Sequence, residues 1–196
     1  SYLLALSSDL LAPIYKKLSM YVLRSKLHLT DVTSEIALIG LAGPNTATCL
    51  DALGLSLPPD SMTVRQGQIN IIRVANSRLI LALPVAQASE IWQRLMKTGV
   101  TQAGTDAWRW LEIQAGIPNI TSATQDEFVA QMLNFELIGG VNFQKGCYPG
   151  QEIVARTQYL GKLKKRMYLA HVEDSNIKAG QDLFSPELGD QPCGKI

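Results

Sequence analysis

The segments INIIRV, Ile69 to Val74, and RLILAL, Arg78 to Leu83, decide how this chain folds. Each is a short apolar run of strand length, and only Ala75 to Ser77 separate them. That gap suits a hairpin and is far too short for the crossover helix that a parallel pair requires. A doubly wound parallel sheet would need such a helix between Ile71 and Leu81. The pair is therefore expected to be antiparallel.

Working outward, IALIGL before the hairpin reads as a strand, and GPNTATCLDALG as a short helix with Pro44 near its first position and Gly54 after its end. VAQASEIWQRLMKTG places Val85, Ala88, Ile91, Trp92 and Leu95 on one helical face, closed by Gly99. Further upstream, YLLAL and KLHLTDV read as strands around a helix that begins after Ser8 or Asp9 as cap and carries Leu10, Leu11, Ile14, Leu18 and Tyr21. Downstream, TDAWRWLEIQAG is a helix from Thr105 or Asp106 to Gly116, QEIVARTQYLG a helix stopped by Gly161, and RMYLAHV a strand. The fold class is α+β, with helices packed on one face of a mainly antiparallel sheet. Residues 161–196 read as the start of a second, all-β unit, too short to fold alone, after an α+β region at 1–160.

The composition, 46% hydrophobic and 18% charged, is that of a globular chain able to bury a core. A formal net charge of +1 excludes a global pull toward nucleic acid or anionic membrane, so any polyanion site must be local. No apolar run is long enough to cross a bilayer as a helix. Cys49, Cys147 and Cys193 are odd in number and far apart, which argues against a disulfide framework and for a reducing compartment; no metal-ligand spacing is present.

One cysteine is placed unusually. In KGCYPGQEIVAR, Lys145 to Arg156, Cys147 stands near two glycines just ahead of an expected helix, whose unpaired N–H groups favour an anion. Lys145 is near in sequence, Arg156 lies further along the helix, and Gly146 and Gly150 permit close backbone approach or positive φ. Local chemistry leaves two readings: an accessible, thiolate-prone functional cysteine, or an inert loop cysteine.

KGCYPGQE resembles the K-G-C-Y-x-G-Q-E motif of the YgfZ family of folate-binding, tRNA-modifying proteins, which are related to the glycine-cleavage aminomethyltransferases (GcvT-like). Lys145, Gly146, Cys147, Tyr148, Gly150, Gln151 and Glu152 meet every fixed position, with Pro149 in the free slot. The flanking GGVNFQ and EIVAR also look like the family, and a weaker resemblance runs from about Leu23 to the end. It implies a cytoplasmic protein that binds tetrahydrofolate or another reduced folate and supports iron–sulfur enzymes, such as those that methylthiolate tRNA, through Cys147. It also implies a GcvT-like folate-binding domain whose N-terminal part is missing here, followed by an incomplete C-terminal β-barrel.

The family carries a ligand-facing tryptophan five residues before the Ile of an I-E-A-G stretch, a spacing that selects Trp108 before Ile113 and leaves Trp110, unable to share its face, for packing. Gln114 replaces the glutamate of that stretch, offering one acceptor oxygen and an N–H2 where a carboxylate would accept two pterin donors. The resemblance points to an accessory protein rather than a catalyst. The alternatives are a tetrahydrofolate-dependent aminomethyl or methyl transferase, and a binding module in which Cys147 is incidental.

The basic run GKLKKR, Gly161 to Arg166, lacks interleaved aromatics and reads as a solvated linker ahead of a tRNA-phosphate contact. Cys49 is expected to be buried packing, and His28 and His171 surface or boundary residues. GLAGPNTA has neither dinucleotide nor P-loop spacing and reads as a turn.

Overall fold

In the computed structural model, which describes residues 2–60, 62–75, 77–161, 163–174 and 176–196, the chain divides into two compact units, Lys26–Trp108 and Ser1–Ser25 with Arg109–Ile196. Asn76 of the expected hairpin turn and Lys162 of the basic run fall outside the described residues.

The first unit holds four strands, β1 (Ile36–Ala42), β2 (Thr63–Gln66), β3 (Ile69–Ala75) and β4 (Arg78–Pro84), in the spatial order β1-β4-β3-β2 with every pairing antiparallel. The hairpin expectation holds, with a bulge between Arg73 and Ala75 that brings Ala75 opposite Arg78. Central β4 is dry: Leu79, Leu81, Ala82 and Leu83 are fully buried. Alternation puts Ile39 and Leu41 of β1 in the core and leaves Leu38 and Gly40 on the opposite face.

Two helices cover the core face. α2 (Thr46–Leu53), the second helix of the chain, ends as its sequence requires, with Gly54 at φ 73° donating its N–H to the last-turn carbonyls. α3 (Val85–Met96) turns Ile91 and Leu95 inward, beside Cys49, Leu50 and Leu53 of α2. Burial of each such leucine or isoleucine is worth about 2 kcal/mol, so this face is the main source of stability in the unit. Cys49 is buried as expected and lies 3.5 Å from the Thr98 hydroxyl.

β2 was not legible as a strand. TVRQ is polar at all but Val64, and it pairs because the Gly67 turn, at φ 60°, folds it back on Ile69–Ile72. KLHLTDV is not a strand: it makes no ladder, and its end turns through a bond from the Thr33 N–H to Asp31 Oδ1 (2.9 Å).

In the second unit, a 3₁₀ turn at Ser8–Leu10 leads into α1 (Leu11–Val22). YLLAL ahead of it is not a strand, and Tyr2 and Leu4 are exposed. Nor does Asp9 cap its own helix. Its Oδ2 accepts from the Ser122 N–H (2.8 Å) and hydroxyl (2.7 Å), a link across the sequence to the loop after α4 (Thr105–Gln114). The unit also contains a 3₁₀ turn at Ala130–Leu133, α5 (Gln151–Tyr159), and the paired strands β5 (Asp182–Phe184) and β6 (Pro192–Lys195). That antiparallel pair is the β-structure present in the tail among the described residues. RMYLAHV has no strand partner: Met167 bonds the 3₁₀ turn through its N–H to Met132 O (2.7 Å), while Tyr168 and Leu169 are exposed.

Two outcomes follow from this packing. Leu81→Ala should lower unfolding free energy by about 2–5 kcal/mol in urea titration, because a fully buried leucine leaves a cavity that strands on both sides cannot fill. The Ser7 side chain, and then Ser122, hold the Asp9 carboxyl down to about 2, below its ordinary 3.8. A depressed carboxylate stabilises the folded state above its unfolded value and loses that contribution as pH falls toward 2. A carboxyl-carbon NMR titration should show an Asp9 midpoint near 2, moved upward in Ser122→Ala.

Candidate functional site

The motif loop is held by reciprocal bonds at the start of α5. The Gln151 N–H donates to Tyr148 O (3.2 Å), and the Tyr148 N–H donates to Gln151 Oε1 (3.2 Å). Gly150 caps the helix in the left-handed region, φ 85°, where a side chain would be strained. The motif glutamine and second glycine thus act on backbone geometry: they close a tight turn immediately after Cys147.

Cys147 is exposed on that loop, three residues ahead of the cap. Helix-terminus effects fade beyond the first turn, so the thiol sits at the edge of the helix field. Lys145 Nζ lies 4.4 Å from the centre of the Tyr148 ring, a cation–π contact that places the ammonium within the motif. Glu152 is exposed in the first turn of α5, and Arg156 is exposed further along it.

Lys145, Tyr148 and Gln151 also line a cleft with Phe143, Val154 and Tyr159. Its volume is about 70 Å³, room for a few waters and well short of the roughly 300 Å³ at which ligand pockets begin. A pterin does not fit there. Behind the loop, Gln131, 1% exposed, donates its Nε2 to Val154 O of α5 (2.6 Å). Arg166 Nη1 reaches Glu136 Oε1 (2.7 Å) and Asn134 Oδ1 (2.8 Å), so the last cation of the basic run is engaged within the fold. Sequence reading missed both contacts, because buried glutamines and single ion pairs leave no periodic signal.

Trp108 lies in the other unit. It is half-buried, and its six-membered ring rests on the backbone of β1: a Cβ built on Gly40 would lie 2.5 Å from Trp108 Cε3. Arg78, 7% exposed, has its guanidinium carbon 5.9 Å from the indole centre. Its Nη1 is buried without a hydrogen-bond partner among the described residues. An unmade bond of this kind costs about 1–3 kcal/mol, which a desolvated cation–π contact of about 2 kcal/mol offsets.

The expected division between the two tryptophans is corrected at one point. Trp110 does not pack: it is 59% exposed. Residues two apart on a helix point about 200° away from each other, and the opening above Gly40 takes Trp108. Gly40 itself is a strand residue, so GLAGPNTA becomes a turn only at Gly43, φ 121°. Gln114 is exposed at the end of α4, and His28 and His171 are at the surface. Among the described residues no three His, Cys, Asp or Glu side chains converge as a metal site, and no helix is long and apolar enough to cross a membrane.

The chain matches no family profile. It is similar to a curated relative, the tRNA-modifying protein YgfZ of Colwellia psychrerythraea strain 34H, with 32% identity over 164 residues. The aligned region is 82% of this chain and 49% of the relative, so the chain spans about half the length of the protein it matches.

Gln151→Ala should loosen the motif loop without unfolding the unit. Loss of one hydrogen bond, about 1 kcal/mol, predicts roughly fivefold faster amide exchange at Tyr148.

Proposed function

Because this chain belongs to the YgfZ family, we propose that it is a folate-binding accessory protein that supports tRNA modification by way of iron–sulfur enzymes. In this reading Cys147 is the working thiol, Trp108 takes the flat face of a reduced folate, and the client enzymes include those that methylthiolate tRNA. The observation that carries it is the placement of Cys147: exposed, on a loop whose neighbours Tyr148, Gly150 and Gln151 are fixed by hydrogen bonds and cap geometry. A sulfur kept for packing would be buried, as Cys49 is.

Trp108 suits the proposed ligand. A pterin is planar and polarisable, and a half-buried indole already resting on a sheet offers it a stacking surface with little left to order. Bound tetrahydrofolate would supply one-carbon and reducing chemistry; the chain's own part is to hold the ring at Trp108 and to present a nucleophilic sulfur at Cys147. Each unit then contributes one half of the function. Among the described residues Cys147 belongs to no group of three or more metal-ligating side chains, and a lone exposed thiol suits transient capture of a client or an adduct better than storage of a cluster. In this reading the protein acts in the cytoplasm, beside such clients.

Tetrahydrofolate should quench tryptophan emission of the natural full-length protein, and Trp108→Phe should weaken its binding at least about tenfold, or about 1.4 kcal/mol. Cys147→Ser should bind folate normally yet abolish support of tRNA methylthiolation in cells. Absence of folate binding would overturn the ligand assignment. Turnover of an aminomethyl donor that survives Cys147→Ser would identify a transferase instead.

A further inference from the structure

We propose that Gly40 and Arg78 form the seat that fixes the Trp108 indole, and that both are positioning residues of the folate site; this rests on the assignment of Trp108 made above. Gly40 lies inside β1, where a β-branched or aromatic residue would ordinarily serve better. Its φ is outside the left-handed region, so no turn demands a glycine there. What demands it is the ring: an added Cβ would stand 2.5, 2.7 and 3.1 Å from Trp108 Cε3, Cζ3 and Cδ2, atoms of a rigid indole that could make room only by moving the whole ring.

Arg78 holds the same ring from the side. Gly40 pairs with Ile80 and Ala42 with Arg78, so Gly40 and Arg78 are diagonal neighbours on the sheet face away from the core. The guanidinium is buried, has no acceptor at Nη1 among the described residues, and lies within cation–π range of the indole. If the indole moved away, that buried charge, already without an acceptor at Nη1 among the described residues, would lose its ring contact too. The indole is therefore preorganised, and it carries a fixed positive charge behind it. A neutral or anionic flat heterocycle is favoured on such a ring, and a cationic one is repelled.

The test uses the natural full-length protein and tetrahydrofolate titrated by calorimetry, with tryptophan emission read in parallel. Gly40→Ala and Arg78→Met should each weaken binding about tenfold and shift the Trp108 emission, while Arg78→Lys, which keeps the charge, should stay within about threefold. Gly40→Ala should also lower the urea midpoint, and the double variant Gly40→Ala with Trp108→Ala should regain the midpoint of Trp108→Ala alone, because the clash is gone. That comparison needs no ligand. Native binding in both Gly40→Ala and Arg78→Met, with binding lost in Trp108→Phe, would overturn the seat and spare the folate assignment. Native binding in Trp108→Phe would overturn the assignment itself. Failure of the double variant to regain its midpoint would overturn the seat independently.

Discussion

A central strand that is dry on its core face and largely covered on the other must have a neighbour along each edge, and β4 is such a strand. Its backbone donors and acceptors have only β1 and β3 to bond, since an unpaired amide in a dry interior is costly. That constraint fixes β1 beside β4 although more than thirty residues separate them in sequence. It also brings Gly40 next to Arg78, and so creates the surface on which Trp108 rests. The core face and the Trp108 face are two sides of one demand.

The two candidate sites differ in physical character. The Trp108 face is built on a sheet: rigid, partly apolar, with a buried cation and a ring in contact with backbone. The Cys147 loop is built on a turn: polar, exposed, and organised by a few hydrogen bonds at the start of one helix. A surface that must recognise a flat molecule benefits from the first kind of support, and a sulfur that must meet partners of various shapes benefits from the second.

What could be read from the chain follows from how strongly each feature is encoded. The hairpin, α2 with Gly54, α3 and α5 were legible because apolar spacing and glycine caps are local signals. The strands expected at YLLAL, KLHLTDV and RMYLAHV did not form, since apolar β-like residues make a strand only when a neighbour is there to pair. β2 escaped notice for the opposite reason: its composition is weak and its partner supplies the order. At the sites, the KGCYPGQE motif singles out Cys147, and the spacing before Ile113 singles out Trp108. The seat of Trp108 was beyond reach, because Gly40 and Arg78 meet it only through strand register, and Trp110 was assigned the packing role that geometry gives to its neighbour.

The contacts around Met167 have a bearing on Cys147 that its immediate neighbours do not reveal. Asn134 Nδ2 donates to Met167 O (2.9 Å), and Arg166 joins Glu136, so the stretch carrying the thiol is tied off at its neck like a purse. Lys164 and Lys165 lie just inside this closure, and a protease nick between them would leave the Cys147 loop joined to the fold through its Asn134 side. The closure sits 13 residues before the sulfur, at Asn134, and 20 after it, at Met167, so the address of Cys147 is set by this distant drawstring together with the turn beside it.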